Sequence, residues 1–546
     1  SKALQVPSSI VSINFSGTSL SDAGALLLAE ALKNHPSVTS LQLDNCDIGP
    51  EGVVAIGSIF ETNKSIHLLN FARNSFDGPS AQAFGLSLEK NDVLSSLDLS
   101  LCKLGDEGAL PVVKALQNSR KLFYFNLASN GITEALAESL GDLVKNCKTL
   151  GNLNLLGNLV GNQVVTSIAS TLSENHSLTA LNLSKNLVGP EGAKELGKAL
   201  SNPNCVLTNL QLGLNPLAVE GVVRLATGLK TNRSLSLLNL WGVDVGAVGA
   251  KYLADNLLSH PTISTLQLRG NKLGPEGAEM LSEFITKSPE LHCLDLTGNH
   301  LGPQGITALA SAIFSSSSLG ELQLGGNLIS DGGCVILSDM LAENHTISTL
   351  NLELNYIGNN GAEALGKAIE SNSSIRSLNL AFNHIGQQGI KEFSLALEAN
   401  NGIQNLNLEG NGLGENIKYV ADGLKENKYV QILNLANNYL RNEGCFSLSS
   451  VLLINETITT LDLKKNGIKD EGAISLAKAL KENKSISSLD LSENRIRESG
   501  AIAIAEVLSI NLRISFLNLK DNLLSPKAIH ALEDSLIRNS RVKCSF

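Results

Sequence analysis

The stretch LTALNLSKNLV, residues 178–188, sets Leu at its first, fourth and sixth places, Asn at the ninth and an apolar residue at the eleventh. The same frame returns as ISTLQLRGNKL at 263–273, LHCLDLTGNHL at 291–301 and ITTLDLKKNGI at 458–468. From Ile10 to Ile514 it begins nineteen times, 28 residues apart except for one step of 29 (178 to 207) and one of 27 (403 to 430). A twentieth copy starts at Val542. Self-similarity at a fixed period of this size is the signature of a stacked array, so residues 1–546 are expected to form one repeat domain.

Each unit changes period halfway. Its first part alternates, as a short strand does. Its second part, EGAISLAKALKEN in one copy, places Ala473, Leu476, Ala477 and Leu480 on one helical stripe. Three residues before the first apolar position stands an asparagine in many copies, among them Asn63, Asn175, Asn344, Asn455 and Asn483. Asn tolerates left-handed backbone, so the pattern predicts a helix stop of that conformation. A lone unit cannot bury its apolar face, whereas stacked units share one core. Narrow parallel strands opposite wider helices then predict a horseshoe or superhelix, with the sheet concave and the helices convex.

This repeat resembles the leucine-rich repeat family, in its ribonuclease-inhibitor-like class, over residues 10–546. The segments GPEGAKEL (189–196) and GPEGAEML (274–281) are similar to repeats of NACHT-type immune receptors and Ran GTPase-activating proteins. The resemblance implies an α/β solenoid that recognises a protein partner on its concave face. It also implies a non-enzymatic role, as the ligand-sensing or regulatory repeat region of a larger cytosolic protein. Two alternatives come with it: activation of a small Ran-like GTPase, and stoichiometric inhibition of a ribonuclease-like enzyme. Against the first, the chain ends in SRVKCSF without an acidic tail; against the second, its unit is near-uniform and poor in cysteine.

Net charge of −10 argues against nucleic acid as the main partner. The eight cysteines are scattered without a C-x-x-C pair, as expected for reduced thiols in the cytoplasm. No apolar run has the length of a membrane span. No P-loop, nucleophile elbow or H-E-x-x-H motif occurs, so no catalytic residue, cofactor site or metal site is expected. His176 and His345 fall in the turn before a strand, beside the capping Asn, and are expected to be turn residues.

Two asparagine-rich columns belong to the scaffold. The ninth-place Asn (Asn74, Asn130, Asn186, Asn271 and eleven more) is expected to satisfy backbone groups that the loop would otherwise bury unpaired. Cys46 and Cys102 fill the same slot. The fifth place holds eleven Asn, four Gln and four Asp, expected as a ladder hydrogen-bonded from rung to rung. Lys464 and Lys465 are expected to neutralise the adjacent rungs Asp462 and Asp490.

Departures from this frame mark candidate contact residues on the concave face. Tyr124 and Leu156 form an apolar group near the start. Trp241, the only tryptophan, is centred in a second group with Leu237 and Leu214. Gly213 beside it leaves room for the indole, and Arg269 on the other side is placed for a cation–π contact. Glu353, Phe382 and Glu409 form a third group. Exposed Trp with Arg is the composition of an interface hot spot. Val243 stands where Asn is usual, and an altered loop is expected after its strand.

Overall fold

The computed structural model describes residues 10–546, so residues 1–9 of the expected 1–546 domain lie outside the described residues. The chain divides into two compact units, residues 10–271 with 287–291, and residues 272–286 with 292–546. In each unit, three-residue strands alternate with helices of ten to fourteen residues. Each strand pairs in parallel with the strand one repeat away: Leu181 lies opposite Leu210 in the first unit, and Leu350 opposite Leu378 in the second. The core sits between the strand and helix layers. Leu178, Leu181, Leu183, Val188, Ala193, Leu196 and Leu200 of one repeat are all buried there.

Helix layers meet at glycine. A Cβ on Gly228 would lie 1.9 Å from the carbonyl oxygen of Gly197 in the preceding helix. No side chain fits, so the two backbones touch.

The capping asparagines end the helices, though by a different means from the one expected. Asn63, Asn344, Asn400 and Asn483 are extended, with φ between −65° and −81°, not left-handed. Their side chains do the work. Asn400 Nδ2 donates to Ile369 O (2.6 Å) and Asn372 O (3.0 Å), while its Oδ1 accepts from the Gly402 and Ile403 N–H groups. One amide thus closes its own turn and ties it to the preceding repeat. Left-handed backbone falls instead just before the ninth-place Asn, at Arg73, Lys185, Leu214 and Phe382.

The ninth-place Asn bonds across repeats as expected. Asn74 Nδ2 donates to Leu43 O and Phe71 O, and its Oδ1 accepts from Cys46 N and Ile48 N. The thiols of Cys46 and Cys102 reach the equivalent carbonyls, Phe15 O and Phe71 O. Val243 keeps an ordinary loop behind it, contrary to expectation: Asp244 and Gly246 are left-handed like Lys103 and Gly105. The reason is that this Asn serves the loop of the repeat before it. The lapse therefore appears one repeat earlier, where Leu217 N turns to Asn215 O at 2.8 Å.

The fifth-place ladder is mostly local. Asn182, Asn239 and Asn351 each accept from the N–H two residues on. Rung-to-rung bonds occur where a carboxylate can receive them, as from Asn126 to Asp98 and from Asn518 to Asp490. At the chain end, Cys544 lies opposite Leu517, one residue earlier in register than a start at Val542 implies.

Several helix N-termini are capped from the preceding repeat. Asp22 accepts from Gly49 N and Gly52 N, Asn162 from Gly189 N and Gly192 N, and Asp470 from Arg497 N and Gly500 N. These bonds satisfy donors that a helix start leaves open.

Candidate protein-recognition surface

In the first unit, the strand Leu237–Asn239 lies in register between Asn209–Gln211 and Thr265–Gln267. Its exit carries Trp241, whose N–H donates to Asn239 Oδ1 (3.0 Å) and whose carbonyl accepts from Leu214 N (2.7 Å). The half-buried indole lies over Gly213: a Cβ there would be 1.8 Å from Cδ1 and 2.1 Å from Nε1. Leu214, at φ +55°, leans the opposite way over Gly242, where a Cβ would meet Cδ2 at 2.6 Å. The two side chains pass each other, each laid on a glycine of the other's repeat. Their outer faces stay open, with Leu214 39% exposed.

Arg269 is tied to this pair through its backbone, accepting from Gly242 N (2.8 Å). Its side chain is exposed. Among the described residues a cation–π pairing occurs at Lys418 over Tyr419, and Arg269 makes none with Trp241, which corrects that expectation. The indole has turned toward Gly213, away from Arg269, because the glycine is the side with space.

Leu237 and Leu156 are half-buried on the strand face. Tyr124 is half-buried too, and burial, reinforced by Asp98, raises its phenol pKa. A polar-floored hollow of about 150 Å³ runs from Tyr124 past Asn154 and Asn182 to Asn209 and Gln211. It ends on the strand beside Leu237, so the first two candidate groups border one surface. Leu159 and Leu187 are exposed on successive exit loops of the same unit.

In the second unit, Glu353 and Glu409 are held by the scaffold. Each accepts from a fifth-place Asn of the next repeat, Asn379 at 3.0 Å and Asn434 at 3.2 Å. Phe382 is 40% exposed and lies over Gly410. Lys464 pairs with Glu493 (2.8 Å), not with the rungs. Asp462 instead accepts from the Lys464 backbone, and burial is the main cause raising its carboxyl pKa, with Asp490 and Glu409 adding to it. The eight thiols are unpaired, and burial holds Cys102, Cys334 and Cys445 at about 12, far from reactive thiolates.

Sequence reasoning missed the aromatic exit-loop column of this unit. Tyr356 (57% exposed) meets His384 edge-on at 5.3 Å, and Tyr439 stands 67% exposed. The signal was present one place after the ninth-place Asn.

Among the described residues, no cluster of three His, Cys, Asp or Glu side chains could hold a metal ion, and no helix is long and apolar enough to cross a membrane. Nine segments (34–57, 90–113, 174–197, 259–282, 287–310, 343–366, 371–394, 455–477 and 482–505) match the family model described as Leucine Rich repeat. NACHT, LRR and PYD domains-containing protein 9 of Bos taurus is 30% identical over 242 residues, 44% of this chain and 24% of that protein. Ribonuclease inhibitor of Mus musculus is 26% identical over 250 residues, 45% of this chain and 55% of that protein. The chain therefore spans about a quarter and about half of these relatives' lengths. The solved TLR13–ssRNA13 complex matches 95% of this chain and 64% of its own, at 16% identity and a TM-score of 0.46. Arrays of this kind serve as protein-interaction scaffolds. The repeat length, the cross-repeat asparagine bonding and the nine matches show that this chain carries leucine-rich repeats, similar to those of ribonuclease inhibitor.

Proposed function

We propose that this chain recognises a protein partner through the strand face and exit loops of its first unit, with Trp241 at the centre. The supporting observation is the crossed pair Trp241 and Leu214, whose outer faces stay open although each is fixed on a glycine. A large ring held rigid and half-exposed loses little conformational freedom on binding, which is what an anchor residue requires. Leu237 shares its strand and Arg269 follows in the next repeat, Leu156 and Tyr124 lie further back along the same sheet face, and Glu353, Phe382 and Glu409 offer a second, more acidic surface in the other unit. Its relatives agree with a recognition role without naming the partner.

The test is affinity capture with quantitative mass spectrometry, using wild type, Trp241→Ala and Leu214→Ser at matched folding. One specific protein should be depleted by both variants, while thermal unfolding shifts little. Capture unchanged by either substitution would remove this surface from the function. Phosphate release from a GTP-loaded small GTPase and inhibition of a ribonuclease are the parallel assays for GTPase activation and ribonuclease-like inhibition, and neither activity is expected.

A further inference from the structure

A cavity of about 760 Å³ lies in the second unit along the exit loops of the repeats that begin at 403, 430, 458 and 486. It adjoins the one 27-residue repeat. The lost residue falls where the helix begins. The first turn tightens into the 3-10 segment Gly414–Asn416, and the helix Ile417–Glu426 has ten residues against thirteen in Gln387–Ala399. The recess is lined by Tyr439, Arg441, Lys469 and Arg495, together with Glu415 and Glu443.

The repeats serve as their own control for what the scaffold demands. The position of Arg441 and Lys469 is glycine in the three preceding repeats, Gly358, Gly386 and Gly414. Arg441 adopts φ +54°, which glycine would take at less cost. The fold therefore does not call for cations here. Arg441, Lys469 and Arg495 are all exposed, and no ion pair involves them among the described residues. Tyr439 projects between Gly412 and Gly467, and a Cβ on either glycine would meet nothing within 4 Å. Both flanks of the ring stand open.

We propose that this groove binds an extended acidic segment of a protein partner. Acidic side chains pair with Arg441, Lys469 and Arg495, and an adjoining planar or apolar side chain lies on Tyr439. Glu415 and Glu443 decide between ligand classes. They would repel the continuous charge of a nucleic acid or polyphosphate, but they accept hydrogen bonds from peptide N–H groups. The site is independent of the Trp241 surface.

Fluorescence anisotropy with a labelled twelve-residue peptide of alternating Glu and Tyr tests this on the whole chain, against Gln/Tyr and Lys/Tyr peptides. The acidic peptide should bind best, and raising the salt from about 50 to about 300 mM should weaken it several-fold. The doubly substituted Arg441→Glu, Arg495→Glu chain should lose at least about tenfold in affinity, Tyr439→Ala should lose several-fold, and Trp241→Ala nothing. The substituted side chains are exposed, and unchanged circular dichroism checks that folding survives. Equal binding of the three peptides, indifference to the charge reversals, or stronger binding of ATP than of the acidic peptide would each overturn the proposal.

Discussion

Acidification should unlock the first unit at His260. This residue occupies a capping-Asn slot with only 2% of its surface exposed. Its Nδ1 accepts from Thr262 N (3.4 Å) and Ile263 N (3.2 Å), as the Asn Oδ1 does elsewhere, and its Nε2 is buried. Burial, then the charge of Arg233, lowers its pKa from 6.5 to about 4. Protonation would put a proton on the very nitrogen that accepts the two N–H groups. Since the folded value lies below the unfolded one, the unfolded chain binds the extra proton first. The stability is complete above about pH 6.5 and drains away as the pH falls toward 4. At about 1.4 kcal/mol per pH unit, the full loss is roughly 3 kcal/mol, with about 2 kcal/mol gone at pH 5. Urea unfolding of wild type and His260→Asn between pH 4 and 7.5 measures it, with hydrogen exchange at Ile263 as the local reading. Asn restores the usual cap and cannot titrate, so the variant should lose less stability on acidification. Parallel pH profiles for the two chains would refute the reasoning.

Asn400→Ala deletes an amide that makes four bonds to buried backbone, and should cost about 3 kcal/mol in chemical denaturation. Val243→Asn should stabilise by about 1 kcal/mol, read as a raised Tm, because it returns an acceptor to the preceding loop and a donor to Leu212 O. Gly228→Ala drives a methyl into Gly197 O, so a large drop in Tm, or failure to fold, is expected. Gly213→Val evicts the indole from its bed. Trp241 fluorescence should shift to the red, and partner capture should fall with it.

The repeat frame was legible because a core tiled from identical units demands the same residue at every turn. Leu181 and Leu210 are interchangeable in role, and one pattern announces both. The chemistry of Asn400 was half legible: its place at the helix end could be read, but not that the amide reaches back to Asn372 and Ile369. That information lives in the neighbouring repeat, 28 residues away. Val243 misled for the same reason, since its effect lands on Leu217. Space beside Trp241 could be inferred from Gly213, but the direction of the ring depended on which neighbour was smaller. The groove beside Tyr439 was not legible because its lining comes from four successive repeats, so no single stretch of sequence holds it.

The cross-repeat bonds give the array a grain. Most loops lean forward, their N–H groups received by the Asn of the following repeat, as Cys46 and Ile48 are by Asn74. Several helices lean backward, their first donors received by the preceding repeat, as Gly49 and Gly52 are by Asp22. Removing a repeat from the C-terminal side therefore bares the loop of the one before it, while removal from the N-terminal side bares the helix of the one after. Shortened arrays of equal length should fray differently at their two ends, like cloth cut across the warp or across the weft.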